Sequence, residues 1–329
     1  MKCDIIVDLQ SGDTGKGKVT HSLLKSNNYD LVLRYNGGSN AGHTIYHKGK
    51  KIITHQIPAG VLYGIPSLIG LGCVVNLEKL EQEIDYLNNE GIVTKNLIFV
   101  DKRCHVVTDK HLEEDKKDST IGTTKQGIGP TYKSKYGRTG TRVESLNLDS
   151  SNKFSIVDSL VLFDNSSNIL AEGAQGFALD IDWGDYPYVT SSHCTSGSVC
   201  LNGIPPKKID KIYGIAKAYE TYVGEKSFGM THSAHFKIQE LGQEYGATTG
   251  RPRKVNWINL DQLKVAMKVN GVTDIIINKI DILDQIGIYG YIVDGKEFLL
   301  SDRKEFCNVI AEVIDKDIGL VFSSTPYDI

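Results

Sequence analysis

An α/β fold with a central, mostly parallel sheet flanked by helices is what this 329-residue chain predicts. Two observations carry the prediction. Short apolar runs alternate with helical patterns, and parallel strands need such crossovers to bring the chain back to the same edge. The first apolar run, Cys3 to Leu9, leads directly into the glycine-rich turn Ser11-Gly-Asp-Thr-Gly-Lys-Gly-Lys-Val19. A strand that turns through glycines into a helix is how α/β proteins present backbone N–H groups to phosphate.

The apolar runs predict strands at Cys3 to Leu9, Leu31 to Tyr35, Lys51 to Gln56, Ser67 to Gly70, Asn96 to Val100, Ser167 to Ala171, Lys211 to Ala218, Thr273 to Asn278 and Gly319 to Phe322. Helical patterns lie between them, at Lys16 to Ser26, Leu77 to Glu90, Leu260 to Asn270 and Asp302 to Lys316. Residues 101–150 read differently: polar, rich in Gly, Thr and Lys, with little periodicity. A long irregular stretch in an enzyme is more often a functional loop than a linker. The expectation is one domain over 1–329 with an irregular loop region at about 101–150. No internal repeat or low-complexity segment interrupts it.

Composition narrows the function classes. A net charge of −3 with 23% charged residues marks neither a nucleic-acid binder nor a membrane-surface protein. Runs such as Val272 to Ile277 are too short to span a bilayer. Met-Lys-Cys-Asp followed by a strand does not read as a signal peptide. The six cysteines form no C-x-x-C pair, so reduced thiols in a cytoplasmic protein are expected and no zinc site is seen.

From Gly12 the turn fits G-x-x-x-x-G-K, so Gly12, Gly15, Lys16, Gly17 and Lys18 are candidates for phosphate binding. Val19 stands where a Ser or Thr would ligate Mg²⁺. Asp13, inside the loop, is the substitute ligand, and a carboxylate among phosphates suggests chemistry as well as binding. A second cluster, Arg34-Tyr-Asn-Gly-Gly-Ser-Asn-Ala-Gly-His-Thr44, offers glycines for close approach and a His to donate to a phosphoryl oxygen. A third, Ile121-Gly-Thr-Thr-Lys-Gln-Gly-Ile-Gly-Pro130 with Lys133, Lys135, Arg138 and Arg142, suits a nucleoside monophosphate. The fourth runs from Ala171-Glu-Gly-Ala-Gln-Gly176 to Thr190 and puts Gln175 at a strand end. The fifth, Ala247-Thr-Thr-Gly-Arg-Pro-Arg-Lys254, suits capture of a dicarboxylate. In the sixth, Asn278-Lys-Ile-Asp281 follows an apolar strand, as in proteins that read guanine through a carboxylate.

Six such segments in this order resemble the adenylosuccinate synthetase family, with the likeness running from residue 1 to about 285 and echoed at Ser323-Ser-Thr-Pro326. That resemblance implies GTP- and Mg²⁺-dependent joining of L-aspartate to the 6-oxo carbon of IMP through a 6-phosphoryl intermediate. It implies that Asp13 is the base for the purine N1 proton and a Mg²⁺ ligand, with the Gly42 carbonyl as another. His43 would support phosphoryl transfer, with Lys18 and Gln175 in the catalytic set. Gly12, Gly15, Lys16, Gly17, Lys18 and Thr44 would hold GTP phosphates, and Lys279, Asp281 and Ser323 its base. Asn40, Thr124, Arg138, Gln175, Thr190, Val223 and Arg251 would hold the purine nucleotide, Arg138 from across a homodimer interface. Thr248, Thr249, Arg251 and Arg253 would hold aspartate.

The family's loop normally reads Gln-Trp-Gly-Asp-Glu-Gly-Lys-Gly-Lys, and Ser11 and Thr14 depart from it. The opening Asp8-Leu-Gln-x-Gly-x-Thr-Gly-Lys-Gly17 is similar to a phage branch that acts on dGMP. Members of that branch usually carry Ser where Asp13 stands here, and many lack the motif kept at Asn278 to Asp281. IMP therefore stands ahead of dGMP as the acceptor. A GTP-binding switch is the reading from another class; it leaves residues 121–142 and 247–254 without a task.

Overall fold

The computed structural model describes residues 1–26, 28–118, 121–148, 153–246 and 250–325. Its central sheet has nine strands: β1 (Lys2–Asp8), β2 (Leu31–Arg34), β3 (Ser67–Ile69), β4 (Ile98–Asp101), β5 (Ser155–Val157), β6 (Asn168–Glu172), β7 (Ile209–Lys217), β8 (Asp274–Asn278) and β9 (Gly319–Ser323). They lie in the order β9-β8-β7-β1-β6-β2-β3-β4-β5, and every neighbouring pair is parallel. The first half of the chain builds the wing β2 to β5 and returns through β6 to the side of β1. The second half builds β7 to β9 on the other side. β1 therefore sits where the winding reverses, and in such sheets the crevice outside the carboxyl ends of the strands receives ligands.

Alternate residues of each strand feed two different cores. Ile5 and Val7 of β1, Leu31 and Leu33 of β2, and Ile275 and Ile277 of β8 pack on one face. Ile6, Val32 and Ile276 pack on the other. A strand buried on both faces has no polar side to show, which is why these segments are unbroken apolar runs. Helices cover both faces. α1 (Lys16–Ser26) and the helix Leu260–Asn270 have the bounds that periodicity predicts. The latter starts at Asn259, whose side chain accepts from Gln262 N, and ends at Gly271 in the left-handed conformation.

The strand predicted at Lys51 to Gln56 lies at Lys50–Thr54 outside the central sheet, paired with His43–His47, and the edge strand β5 was not predicted. Two larger parts also differ from expectation. The stretch 101–150 contains α3 (Asp109–Lys117) and α4 (Ile128–Tyr136) after α2 (Leu77–Asn89). α3 reads Asp-Lys-His-Leu-Glu-Glu-Asp-Lys-Lys and shows almost no apolar periodicity; Thr108 and His111 cap it reciprocally. α4 begins Ile-Gly-Pro, a sequence that hides a helix start. Ile128 and Tyr132 of α4 pack with Val74 and Val107 into a small core of their own. The second difference is a four-stranded sheet, Tyr219–Tyr222, Lys254–Asn259, Tyr289–Val293 and Lys296–Leu300, of which the last two form a hairpin whose outer strand is exposed. All six cysteines are free thiols. Among the described residues no helix is long and apolar enough to cross a membrane.

Candidate active site

The loop after β1 is shaped by Asp8, the last residue of that strand, which is 2% exposed. Its carboxylate accepts from the backbone N–H of Gln10, Gly12 and Thr14 at 3.0, 3.2 and 3.3 Å, from the Thr14 hydroxyl, and from Lys16 Nζ at 3.0 Å. Satisfying five donors with one buried anion fixes the loop before any ligand arrives. Gly12 and Gly15 take φ of +86° and +99°, and Asp13 takes φ of +58°. A Cβ on Gly15 would lie 2.8 Å from Asn278 Nδ2. That amide donates to Thr14 O at 2.8 Å, so the first residue of the Asn278-Lys-x-Asp motif braces the phosphate loop. Val19, where a hydroxyl ligand would stand, is fully buried in the core, so a metal must take its ligand elsewhere.

The loops at the carboxyl ends of β1, β2 and β6 converge on a cavity of about 460 Å³. Gly12, Asp13, Lys16, Asn40, Gly42, His43, Thr124, Gln175, Thr190, Val223, Arg251 and Arg253 line it together, although they come from segments spread over most of the chain. Asn40 Oδ1 and Gln175 Oε1 are buried there without a hydrogen-bond partner. Buried polar atoms left unsatisfied are costly, so these two acceptors are prepared for a ligand that donates to them. Gln175 also takes φ of +57°, and such backbone strain clusters where a side chain must be aimed. Lys16 Nζ donates to Gln175 O at 2.5 Å and ties the loop to the end of β6.

His43 is packed against two charged residues. Arg34 Nη1 lies 2.9 Å from its Nε2 and Nη2 lies 3.2 Å from its Nδ1, and Arg34 Nη2 donates to Glu172 Oε1 at 2.5 Å. Burial, then the charges of Arg34 and Lys16, hold the His43 pKa well below its ordinary value. The ring is neutral at pH 7 and has one N–H to donate. Glu172 is fully buried, and burial raises its carboxyl, opposed by Arg34.

Asp13 faces the cavity with 36% of its side chain exposed and accepts from Arg253 Nε at 2.9 Å. Its carboxylate and the Gly42 carbonyl are hard oxygen donors on one cavity wall, the ligand type Mg²⁺ takes. A second acidic group, Asp180, Asp182 and His193, is drawn together elsewhere. There Asp180 already accepts from the N–H groups of Asp182, Trp183 and Cys194, so it is a loop staple.

The other predicted residues that the structure describes do not line the cavity. Lys18 Nζ donates to Ser323 Oγ at 2.6 Å and Thr325 O at 2.8 Å, joining α1 to the end of β9. Gly17 packs against Thr44: a Cβ there would meet Thr44 O at 2.5 Å. Lys279 takes φ of +66° just past β8 and donates to Gly242 O at 3.0 Å, and Asp281 follows in the first turn of the helix Ile280–Ile286. Arg138 is exposed just beyond α4 with φ of +61°. Thr248 and Thr249 lie outside the described residues. Sequence reasoning gave no role to Asp8, Arg34, Glu172, Lys217 or Glu244, which hold the site residues in place. For the first four the available signal was an ionisable residue inside or closing a strand read as buried, since such a charge must be paired; Glu244, in the turn after the helix Ser233–Leu241, carried no such signal.

The chain matches the family model for adenylosuccinate synthetase over residues 5–159 and 152–312. It is 38% identical over 350 residues to the adenylosuccinate synthetase of Streptococcus gordonii, covering 89% of this chain and 81% of that protein. It is 39% identical over 331 residues to that of Aquifex aeolicus, covering 85% and 76%. The fully ligated adenylosuccinate synthetase of Plasmodium falciparum superposes with a TM-score of 0.84 at 26% identity, covering 99% of this chain and 98% of that one. The succinoaminodeoxyadenylate synthetase of cyanophage S-2L, solved with dGMP and with dATP as an energy donor, shares the fold at a TM-score of 0.79 and 22% identity, covering 99% and 93%.

Proposed function

The chain belongs to the adenylosuccinate synthetase family of GTP-dependent ligases, and on that premise we propose that it joins the amine of L-aspartate to C6 of IMP. The observation that carries this reading is the single cavity that gathers Asp13, His43, Gln175, Arg251 and Arg253. A lactam oxygen is a poor leaving group. Asp13 accepts the N1 proton, which makes O6 nucleophilic. O6 attacks the γ-phosphorus of GTP and GDP departs. The aspartate amine then attacks C6, the C6–O bond breaks, and phosphate leaves. Such transfers depend on positioning and charge stabilisation. Neutral His43, once one ring nitrogen is released from Arg34, donates its N–H to the transferring phosphoryl group, and Gln175 holds the purine edge. Lys16 and the loop N–H groups cradle the phosphates. Asp13 and the Gly42 carbonyl would hold Mg²⁺, which when bound neutralises phosphate charge.

Asn40, Thr124, Thr190 and Val223 bind the nucleotide. Arg251 and Arg253 hold the aspartate carboxylates with Thr248 and Thr249. Lys279, Asp281 and Ser323 read the guanine of GTP, and Lys18 couples that site to the phosphate loop through Ser323. Arg138 does not line the cavity of its own chain, which supports a homodimer in which it reaches the partner's 5′-phosphate. A cytoplasmic setting is part of this proposal, in keeping with the free thiols. A second reading takes dGMP as the acceptor. It is favoured by the opening Asp8-Leu-Gln-x-Gly-x-Thr-Gly-Lys-Gly17; Ser11, which departs from the family's Trp, lines the cavity.

The test is to incubate the protein with GTP, Mg²⁺, L-aspartate and either IMP or dGMP, following the ultraviolet spectrum and GDP release. Succinyl-purine formation from IMP supports the first reading. Product from dGMP alone supports the second. GTP hydrolysis with neither product sinks both.

A further inference from the structure

Beneath the cavity lies a charged network that the reaction does not use directly. Glu244 is fully buried. Its Oε2 accepts from Arg253 Nη1 at 2.6 Å and from Lys217 Nζ at 2.9 Å, and its Oε1 accepts from Tyr219 Oη at 2.6 Å. Lys217, 1% exposed, also donates to Thr221 Oγ1 at 2.9 Å, and Thr221 lines the cavity. The main chain doubles the link, because Arg253 N donates to Glu244 O at 2.9 Å. Burial pushes the Glu244 carboxyl up, but Lys217 and Arg253 outweigh it and leave it at about 2, so Glu244 is an anion at any working pH. Three donors saturate the carboxylate, and its place is fixed by β7 on one side and the strand Tyr219–Tyr222 on the other.

A guanidinium clamped through Nη1 cannot rotate without breaking a buried charge-assisted bond. Its Nε is thereby aimed at Asp13 Oδ2, 2.9 Å away. An arginine free to sample its rotamers would lose that aim, and holding it there on binding would cost side-chain entropy.

We propose that Glu244, itself held by Lys217 and Tyr219, is the positioning residue for Arg253, and that through Arg253 it sets both the aspartate carboxylate and the Asp13 carboxylate. This rests on the reading of Arg253 as a carboxylate ligand in a ligase. The network accounts for three buried ionisable or phenolic groups that touch no substrate. It also places the dicarboxylate site and the base on one rigid chain of contacts, so that bound aspartate and the base are aligned together.

The test compares Glu244→Gln, Arg253→Leu and the double variant, measuring KM for aspartate, KM for GTP, kcat and Tm. Glu244→Gln should raise the aspartate KM at least tenfold and lower kcat, with the GTP KM within twofold of the unaltered protein. The double variant should be no worse than Arg253→Leu alone, because Glu244 acts through Arg253. If Glu244→Gln fails to fold for want of a partner for Lys217, the pair Lys217→Met and Glu244→Leu removes both charges together. It should remain folded and show the same rise in aspartate KM. An unchanged aspartate KM, equal rises in both KM values, or additive losses in the double variant would overturn the proposal. Absence of any succinyl-purine product from the unaltered protein is a separate outcome; it overturns the ligase reading and this proposal with it.

Discussion

Asp13 sits in the left-handed region, in a loop pinned by Asp8, which accepts from the N–H groups of Gly12 and Thr14 on either side of it, so its carboxylate is presented to the cavity by a held backbone. Asp13→Asn keeps the shape and removes the charge needed to take a proton. Turnover should fall by about 10²–10⁴-fold, with Tm little changed; steady-state rates with IMP check it, and near-normal turnover would remove Asp13 from the mechanism. Glu220 offers a test of pH dependence. Burial raises its pKa from 4.5 to about 7, against the opposing N–H of Asn259. Below 4.5 the group is protonated folded and unfolded, so it exerts no pH effect. Between 4.5 and about 7 only the unfolded chain ionises, and stability falls as pH rises. The stabilisation of Glu220→Gln over the unaltered protein should therefore grow across that window and then level off. A Tm difference that does not change with pH would refute it.

At the scale of elements, β8 and the phosphate loop form one unit. Asn278 closes β8, braces Thr14, and is followed directly by the residues proposed to read the base. Asp281→Asn should relax the preference for GTP over ATP by about 5–150-fold, the worth of about 1–3 kcal/mol for paired bonds to a charged acceptor. Competing the two nucleotides in one assay measures it. Equal use of ATP and GTP by the unaltered protein would show that this motif does not select the base. Elements with a strong local signature were legible in advance. Strands buried on both faces announce themselves as apolar runs, and helices such as Leu260–Asn270 carry both period and caps. α3 was not legible because its fully buried residues are the polar His111 and Asp115, and Leu112 alone packs against an apolar core. The exposed strand Lys296–Leu300 carries no burial pattern either.

For the molecule as a whole, the position of Arg138 outside its own cavity leads to a prediction about assembly. If two subunits exchange that residue, chains carrying Asp13→Asn and chains carrying Arg138→Leu, each inactive, should regain activity when mixed. A hybrid dimer holds one site with both native residues, so about a quarter of full activity is the ceiling for random pairing. Sedimentation of the unaltered protein and assays of the mixture decide it. A fully active monomer, or no rescue once subunits have exchanged, would end the shared-site idea.

By itself the sequence determined the α/β class, eight of the nine central strands, and the loops that end at the cavity, because apolar period and glycine-rich turns are local properties. It also marked Asp13, His43, Gln175, Arg251 and Arg253 as chemistry, since their residue types stand out within short segments. Only the tertiary structure decided what holds them. Asp13 meets Arg253 across 240 positions, Arg34 meets Glu172 across 138, and Asn278 meets Thr14 across 264. Such pairs leave no periodic trace. They exist because a parallel sheet with a central switch point brings the carboxyl ends of distant strands to one edge, where buried charges must find partners.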